Sequence, residues 1–213
     1  MSPVREASRA SPEIPPGAYW EPKVNAFVAT VQPGGFSVTR RGDLVLGTLL
    51  GSCVAACICD PEACLGGLNH FLLPDDGNGS ARGTGHATRY GVHAMEMLIN
   101  EILKQGGQRA RLKAKVFGGA NVIALSAANP VGDRNRLFTL DFLRREGIPV
   151  AASDLGGERA RRVFFRPSDN KVLVQLLERS GGDAREADRV GREEAQLSRR
   201  ASAAPASGGI ELF

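Results

Sequence analysis

Hydrophobic and polar positions change period several times between about residues 42 and 177. "GDLVLGTLLGS", 42 to 52, is a short β-rich run broken by Gly47 and Gly51. After it, "VAACIC" and "LGGLNHFLL" flank "DPEA", whose Asp60 and Pro61 are strong turn starters, so the pattern predicts a hairpin. From 88 to 105, Val92, Met95, Leu98, Ile99 and Ile102 recur at helical spacing until Gly106 and Gly107 stop the helix. "RARLKAKVF", 109 to 117, alternates basic with apolar residues, which predicts a half-buried strand whose basic row faces water. A second helix is expected from about Asp133 as N-cap through Leu137, Phe138, Phe142 and Leu143 to Gly147. "IPVAASDL" reads as a strand, and "ARRVFFRPSDNKVLVQLL" as two strands around a turn at Pro167 to Asn170. Strands outnumber helices and hairpins mix with a helix-linked strand, so the class is α/β, with mixed β-sheets carrying packed helices.

Composition divides the chain into three parts. Residues 1 to 22 hold Pro3, Pro12, Pro15, Pro16 and Pro22 among Ser, Ala and Glu, too few large apolar groups to offset the entropy of ordering, and read as a flexible arm. Residues 23 to 180 form the domain. Residues 181 to 213 are a charged tail, expected to be solvated or a marginal helix, ending in the apolar Ile210 to Phe213, which suits either a docked strand or a peptide hook. With 42% hydrophobic and 23% charged residues among 213, the chain has the balance of one globular domain. No run nears the roughly 18 apolar residues of a membrane span, and the first residues lack a secretory apolar core, which predicts no membrane insertion and a cytoplasmic location. In that reducing compartment the four cysteines are expected as thiols. The net charge of +4 comes from interspersed acidic and basic residues with few aromatics, which argues against a nucleic-acid partner.

All four cysteines and one of the three histidines fall between residues 49 and 74. A metal site, a buried strand pair that tolerates cysteine, and a cysteine nucleophile with its base compete to explain this. If Asp60 to Ala63 form a four-residue loop, Cys59 faces Cys64 and Cys53 faces His70, and directly opposed residues share a face with Cβ atoms roughly 4.5 to 5.5 Å apart. The pairing depends on register, which a bulge at Gly66 or Gly67 would shift. A free thiol is only a few per cent thiolate at neutral pH, and a neighbouring imidazolium stabilises that thiolate and can later protonate a leaving group. Gly51 and Ser52 precede the thiol where nearby amides could turn toward an oxyanion. The chemistry further requires the two groups to lie in an accessible groove.

Plainer readings stand beside this one. Cysteine is among the most buried residue types, so Cys57, Cys59 and Cys64 read as small apolar core side chains. A zinc site would have to use C-x3-C-x-C-x4-C-x5-H, which lacks the usual two-residue spacing and disperses its ligands along strands. His86 and His93 read as ordinary helical histidines, and Asp75 and Asp76 as turn and capping groups. Arg159, Arg161 and Arg162 read first as a solvated strand face and second as a docking patch for an acidic partner.

Taken together, "LGSCVAACICDP" and "GGLNHFLLP" resemble the chemoreceptor glutamine deamidases of bacterial chemotaxis, the CheD family. The likeness continues in order through "RYGVHAMEMLINEIL", "KAKVFGGA", "VGDRNRLFTLDFL", "GIPVAASDLGGERARRVFF" and "KVLV", about residues 38 to 177. The resemblance implies an α/β sandwich similar to the cytotoxic necrotizing factor deamidases, with Cys53 as nucleophile, His70 as general base and Thr48 as the orienting hydroxyl. It implies conversion of receptor glutamines to glutamates without a cofactor, and partners in the helical cytoplasmic domains of methyl-accepting receptors and, in many bacteria, the CheC phosphatase. A domain of the same fold that mainly engages CheC, and a cysteine hydrolase acting on other amides or esters, are the rival readings.

Overall fold

A computed structural model describes residues 14–73, 86–122, 131–178 and, in the tail, 185–186, 188–190, 192–193 and 196. Its ten strands are β1 Tyr19–Glu21, β2 Ala26–Thr30, β3 Phe36–Thr39, β4 Leu44–Leu50, β5 Val54–Asp60, β6 Leu65–Asn69, β7 Lys113–Gly118, β8 Val150–Leu155, β9 Arg161–Arg166 and β10 Lys171–Leu176. Among the described residues the two long helices are α1 His86–Lys104 and α2 Val131–Arg145. The strands form two five-stranded mixed sheets, one in the order β1-β2-β4-β9-β10 (sheet A), the other β3-β6-β5-β7-β8 (sheet B). The expected α/β class with mixed sheets and packed helices is the one observed.

Period-2 alternation along β5 explains the layering. Cys53, Ala55, Cys57 and Cys59 face sheet A and meet Leu46, Leu50, Val163 and Phe165, while Val54, Ala56 and Ile58 face the helices and meet Met95, Leu98, Ile99, Phe138 and Phe142. Burying each large aliphatic side chain of α1 contributes about 1.5–3 kcal/mol, so Met95, Leu98, Ile99 and Ile102, all essentially inaccessible, are enough to seat the helix on sheet B. Gly106, at φ +99°, then ends it as its spacing predicted.

The hairpin of β5 and β6 forms, two residues out of the expected register. Cys59 pairs with Gly66 and Asp60 with Leu65, so the loop is Pro61 to Cys64. Asp60 sets the turn by accepting from the Glu62 and Ala63 amides at 3.1 and 3.2 Å. No bulge interrupts the ladder at Gly66 or Gly67; these glycines serve close approach instead, since a Cβ on Gly67 would stand 2.4 Å from the Ser37 carbonyl oxygen on β3. Cys64 lies in the turn at φ +49° and is exposed, contrary to its reading as a core residue.

Other expectations change for identifiable reasons. Residues 109–111 form a 3-10 turn, because the buried Asp60 carboxylate takes the Arg111 Nε at 2.9 Å and the Gln108 amide at 2.8 Å, which curls the chain before β7 begins at Lys113. The Arg111 hydrogen bond holds the Asp60 carboxyl down at about 2. Asp133 sits inside the first turn of α2 rather than capping it, and Leu137 points to solvent. Arg161 is buried: it donates to the Asp154 and Gly156 carbonyls and pairs with the Asp154 carboxylate at 2.8 Å, stapling the loop between β8 and β9, and burial lowers its pKa. Tyr19–Glu21, inside the stretch read as an arm, pairs with β2 as an edge strand. In the tail, helical residues 185–186 and 188–190 lie against sheet A through an Arg162–Glu186 ion pair and a buried Val190. Residues 1–13, Asp75, Asp76 and Ile210 to Phe213 lie outside the described residues.

Candidate active site

The three residues singled out come from three different places. Thr48 stands on β4 of sheet A, Cys53 immediately before β5, and His70 immediately after β6. Val54 bridges Phe71, with amide-to-carbonyl bonds of 3.0 Å in both directions, so Cys53 lies diagonally across from His70 rather than directly opposite. A shift of two residues leaves every side chain on its face, and diagonal neighbours remain within side-chain reach. The expected pairing was wrong in register and right in face.

Across the layer between the sheets, the Thr48 Oγ1 lies 2.8 Å from His70 Nδ1 and donates to the Val31 carbonyl at 2.9 Å. A hydroxyl has one hydrogen, and a carbonyl can only accept, so the Thr48 oxygen accepts from Nδ1. In the neutral ring that assigns the proton to Nδ1 and the lone pair to Nε2. The His70 backbone is fixed separately, donating to the Gly35 carbonyl at 3.0 Å and accepting from the Gly34 amide at 2.7 Å.

Cys53 is 0% exposed and His70 2%, so the accessible groove expected for them is not what the structure contains. The reason is their position between the sheets, where Leu50, Val31, Leu72 and Phe117 share the layer with the thiol. A cavity of about 310 Å³ reaches Thr48 and His70 between sheet A and the tail, lined also by Tyr19, Gln32, Arg162 and Glu186; Cys53 is not among its lining residues. Tyr90, 36% exposed on α1, has its hydroxyl 3.5 Å from where a Cβ on Gly34 would stand, and its phenol is raised above the ordinary value chiefly by burial and also by a charge on Cys53.

Of the remaining thiols, Cys57 and Cys59 are buried in the same layer as Cys53 and Cys64 is exposed in the turn. Burial pushes the Cys57 thiol far above the ordinary range and the Cys59 thiol up to about 11, which leaves both as apolar core groups. His93 is exposed on α1. Among the described residues no cluster of three His, Cys, Asp or Glu side chains stands close enough to hold a metal ion.

Two buried amides beside the site were not singled out from the sequence. Asn69 accepts from the Ala56 amide at 2.9 Å and donates to the Ala94 carbonyl at 3.1 Å, tying β5 to α1 next to His70. Asn135 is wholly buried on α2. Each was signalled by an amide standing in an otherwise apolar pattern, "GGLNHFLL" and the face formed with Phe138 and Phe142.

A family model described as CheD chemotactic sensory transduction matches residues 72–176. A curated relative from Dechloromonas aromatica, named probable chemoreceptor glutamine deamidase CheD 1, is 45% identical over 195 residues, 92% of this chain and 93% of that one. The chain belongs to the CheD family. A member from Cupriavidus metallidurans, named probable chemoreceptor glutamine deamidase CheD, is 45% identical over 96% of this chain and 94% of its own. The CheD relatives therefore span the two sheets and both helices together. Among solved structures, Neisseria meningitidis protein NMB0706 aligns with a TM-score of 0.39 at 13% identity over 64% of each chain.

Proposed function

We propose that the chain is a chemoreceptor glutamine deamidase, acting by acyl transfer through Cys53, His70 and Thr48 in the cytoplasm, where the helical signalling domains of methyl-accepting receptors lie. The observation that carries the reading is the Thr48–His70 contact, which orients an imidazole beside a cysteine in a chain 45% identical to named deamidases along most of its length. His70 Nε2 takes the Cys53 proton as sulfur attacks the glutamine carboxamide carbon, forming the S–C bond. The tetrahedral intermediate expels ammonia, which leaves with the proton returned by His70, and the C–N bond breaks. Water, deprotonated by His70, adds to the thioester; the S–C bond breaks and the thiol is restored with a glutamate as product. These steps draw on no cofactor.

Burial of Cys53 means that a receptor glutamine enters only as the groups covering the thiol withdraw. The same burial favours a second reading, a binding module that regulates CheC with little catalysis of its own. Mass spectrometry of a receptor cytoplasmic fragment incubated with the protein separates them. Deamidase action converts specific glutamines to glutamates; unchanged glutamines alongside stable CheC binding would leave only the second reading standing.

Thr48→Val keeps the shape of the side chain and removes the acceptor for Nδ1–H. The neutral ring can then carry its proton on either nitrogen, so kcat for deamidation is expected to fall roughly 10- to 100-fold, less than the roughly 10²- to 10⁴-fold contribution of a general base because His70 itself remains. Thr48→Ser retains the oxygen and is expected to keep most activity. Equal rates for Thr48→Val and wild type would remove Thr48 from the mechanism.

A further inference from the structure

Three consecutive carbonyls around the thiol are each held by a donor. Gly51 accepts from the Ala120 amide at 2.8 Å, Cys53 from the Gly119 amide at 2.7 Å, and Ser52 from the Asn135 Nδ2 at 2.7 Å. The first two donors are backbone groups following β7. The third is a side chain of α2, 83 residues away in sequence. The other end of the same carboxamide, Oδ1, accepts from the Leu73 amide at 2.9 Å, and the Asn135 carbonyl takes the Thr139 hydroxyl at 2.7 Å. One wholly buried amide thus ties the residue before Cys53 to a residue three beyond His70.

We infer that Asn135 is a positioning residue for the reaction, fixing the Ser52–Cys53 peptide so that the Cys53 amide and thiol face the same side. The peptide is planar and trans, with C=O and N–H antiparallel. Because the Ser52 carbonyl is drawn toward α2 on the outer face of sheet B, the Cys53 N–H is turned away from α2, toward the layer between the sheets. The Cys53 side chain occupies that same layer. An amide on the nucleophile's own side is where the oxyanion of an acyl-transfer intermediate gains a hydrogen bond, and it gains most when the donor is already oriented. The inference rests on the deamidase reading for its kinetic consequence, and on geometry alone for its effect on the thiol.

Asn135→Asp is the discriminating variant. It has the same size and keeps an acceptor for Leu73, but it presents an oxygen to the Ser52 carbonyl where a donor stood. Asn135→Ala removes both contacts and serves as the second variant, each being assayed on folded, soluble protein below its own melting temperature. Expected is a fall in kcat on a receptor fragment of roughly 100-fold, as for loss of an oriented oxyanion donor, with KM changed less than about 3-fold. Independently of any substrate, the pH midpoint of Cys53 alkylation by iodoacetamide, followed by peptide mapping, is expected to move by about one unit in Asn135→Ala, which adds no charge, because the thiol's placement against His70 changes. A residue that merely stabilises the fold lowers the melting temperature and leaves kcat and the alkylation midpoint of the folded protein at wild-type values; that result would overturn the inference. If the wild type proves inactive on receptors, the deamidase reading falls, and the alkylation midpoint alone decides whether Asn135 positions the thiol.

Discussion

Cys53→Ala is expected to eliminate conversion of receptor glutamines while leaving the fold almost untouched. The substitution deletes one buried sulfur from the layer between the sheets, a loss of about 1 kcal/mol on the scale of removing a single buried methylene-sized group. Its effect on rate is of another order, since without the thiolate no acyl-enzyme forms and only the oriented surroundings remain, a loss of roughly 10⁴-fold or more. His70→Ala is expected to fall nearly as far, and the double variant no further than Cys53→Ala alone, because residues acting as one unit are strongly non-additive. The measurement is the rate of carboxamide-to-carboxylate conversion on a receptor cytoplasmic fragment, with urea midpoints recorded beside it. Retention of more than a hundredth of wild-type activity by Cys53→Ala, or losses that simply multiply in the double variant, would mean that Cys53 and His70 do not form the working pair.

Which parts of this arrangement the sequence makes legible follows from how local their causes are. The β5–β6 hairpin, α1 and the β9–β10 turn are written in runs whose period and turn residues act within a few positions. Cys53 and His70 share a face for the same reason: the loop is short and side-chain parity survives a two-residue slip. The register itself was not legible, because it depends on Asp60 serving both the turn and Arg111, and Arg111 lies 51 residues downstream. Arg161 was misread although its partners Asp154 and Gly156 lie only seven and five residues away. Nothing near it in sequence says that its guanidinium closes the loop between β8 and β9 instead of facing water. Burial of the pair was invisible too, since sheet A, which covers it, is assembled from strands as distant as β2 and β9. The backbone freedom the sequence suggested at Gly51 is found on the facing segment, where Gly118 and Gly119 take φ of +106° and +64°.

That facing segment supplies the second large effect. Gly118→Ala is expected to destabilise the protein by about 3–5 kcal/mol, a large share of the 5–15 kcal/mol that holds a domain together. Two costs combine. A side chain at φ +106° is strained by about 1–3 kcal/mol, and the new Cβ would stand 2.2 Å from the Cys53 carbonyl oxygen, a backbone atom that no rotamer change can move. Relief requires the end of β7 to withdraw from the start of β5, which breaks the Val54–Gly118 pairing and lengthens the Gly119 amide bond to the Cys53 carbonyl. Gly147→Ala is the control: its φ is +67°, and a Cβ there meets nothing within 4 Å, so only the left-handed strain of about 1–2 kcal/mol applies. Urea unfolding of both variants measures the difference. If Gly118→Ala lowers the midpoint no more than Gly147→Ala, β7 is free to yield at Cys53 and does not act as the wall behind the nucleophile. If the difference appears, the folded fraction of Gly118→Ala should also deamidate more slowly, because the Cys53 carbonyl that Gly119 holds will have moved.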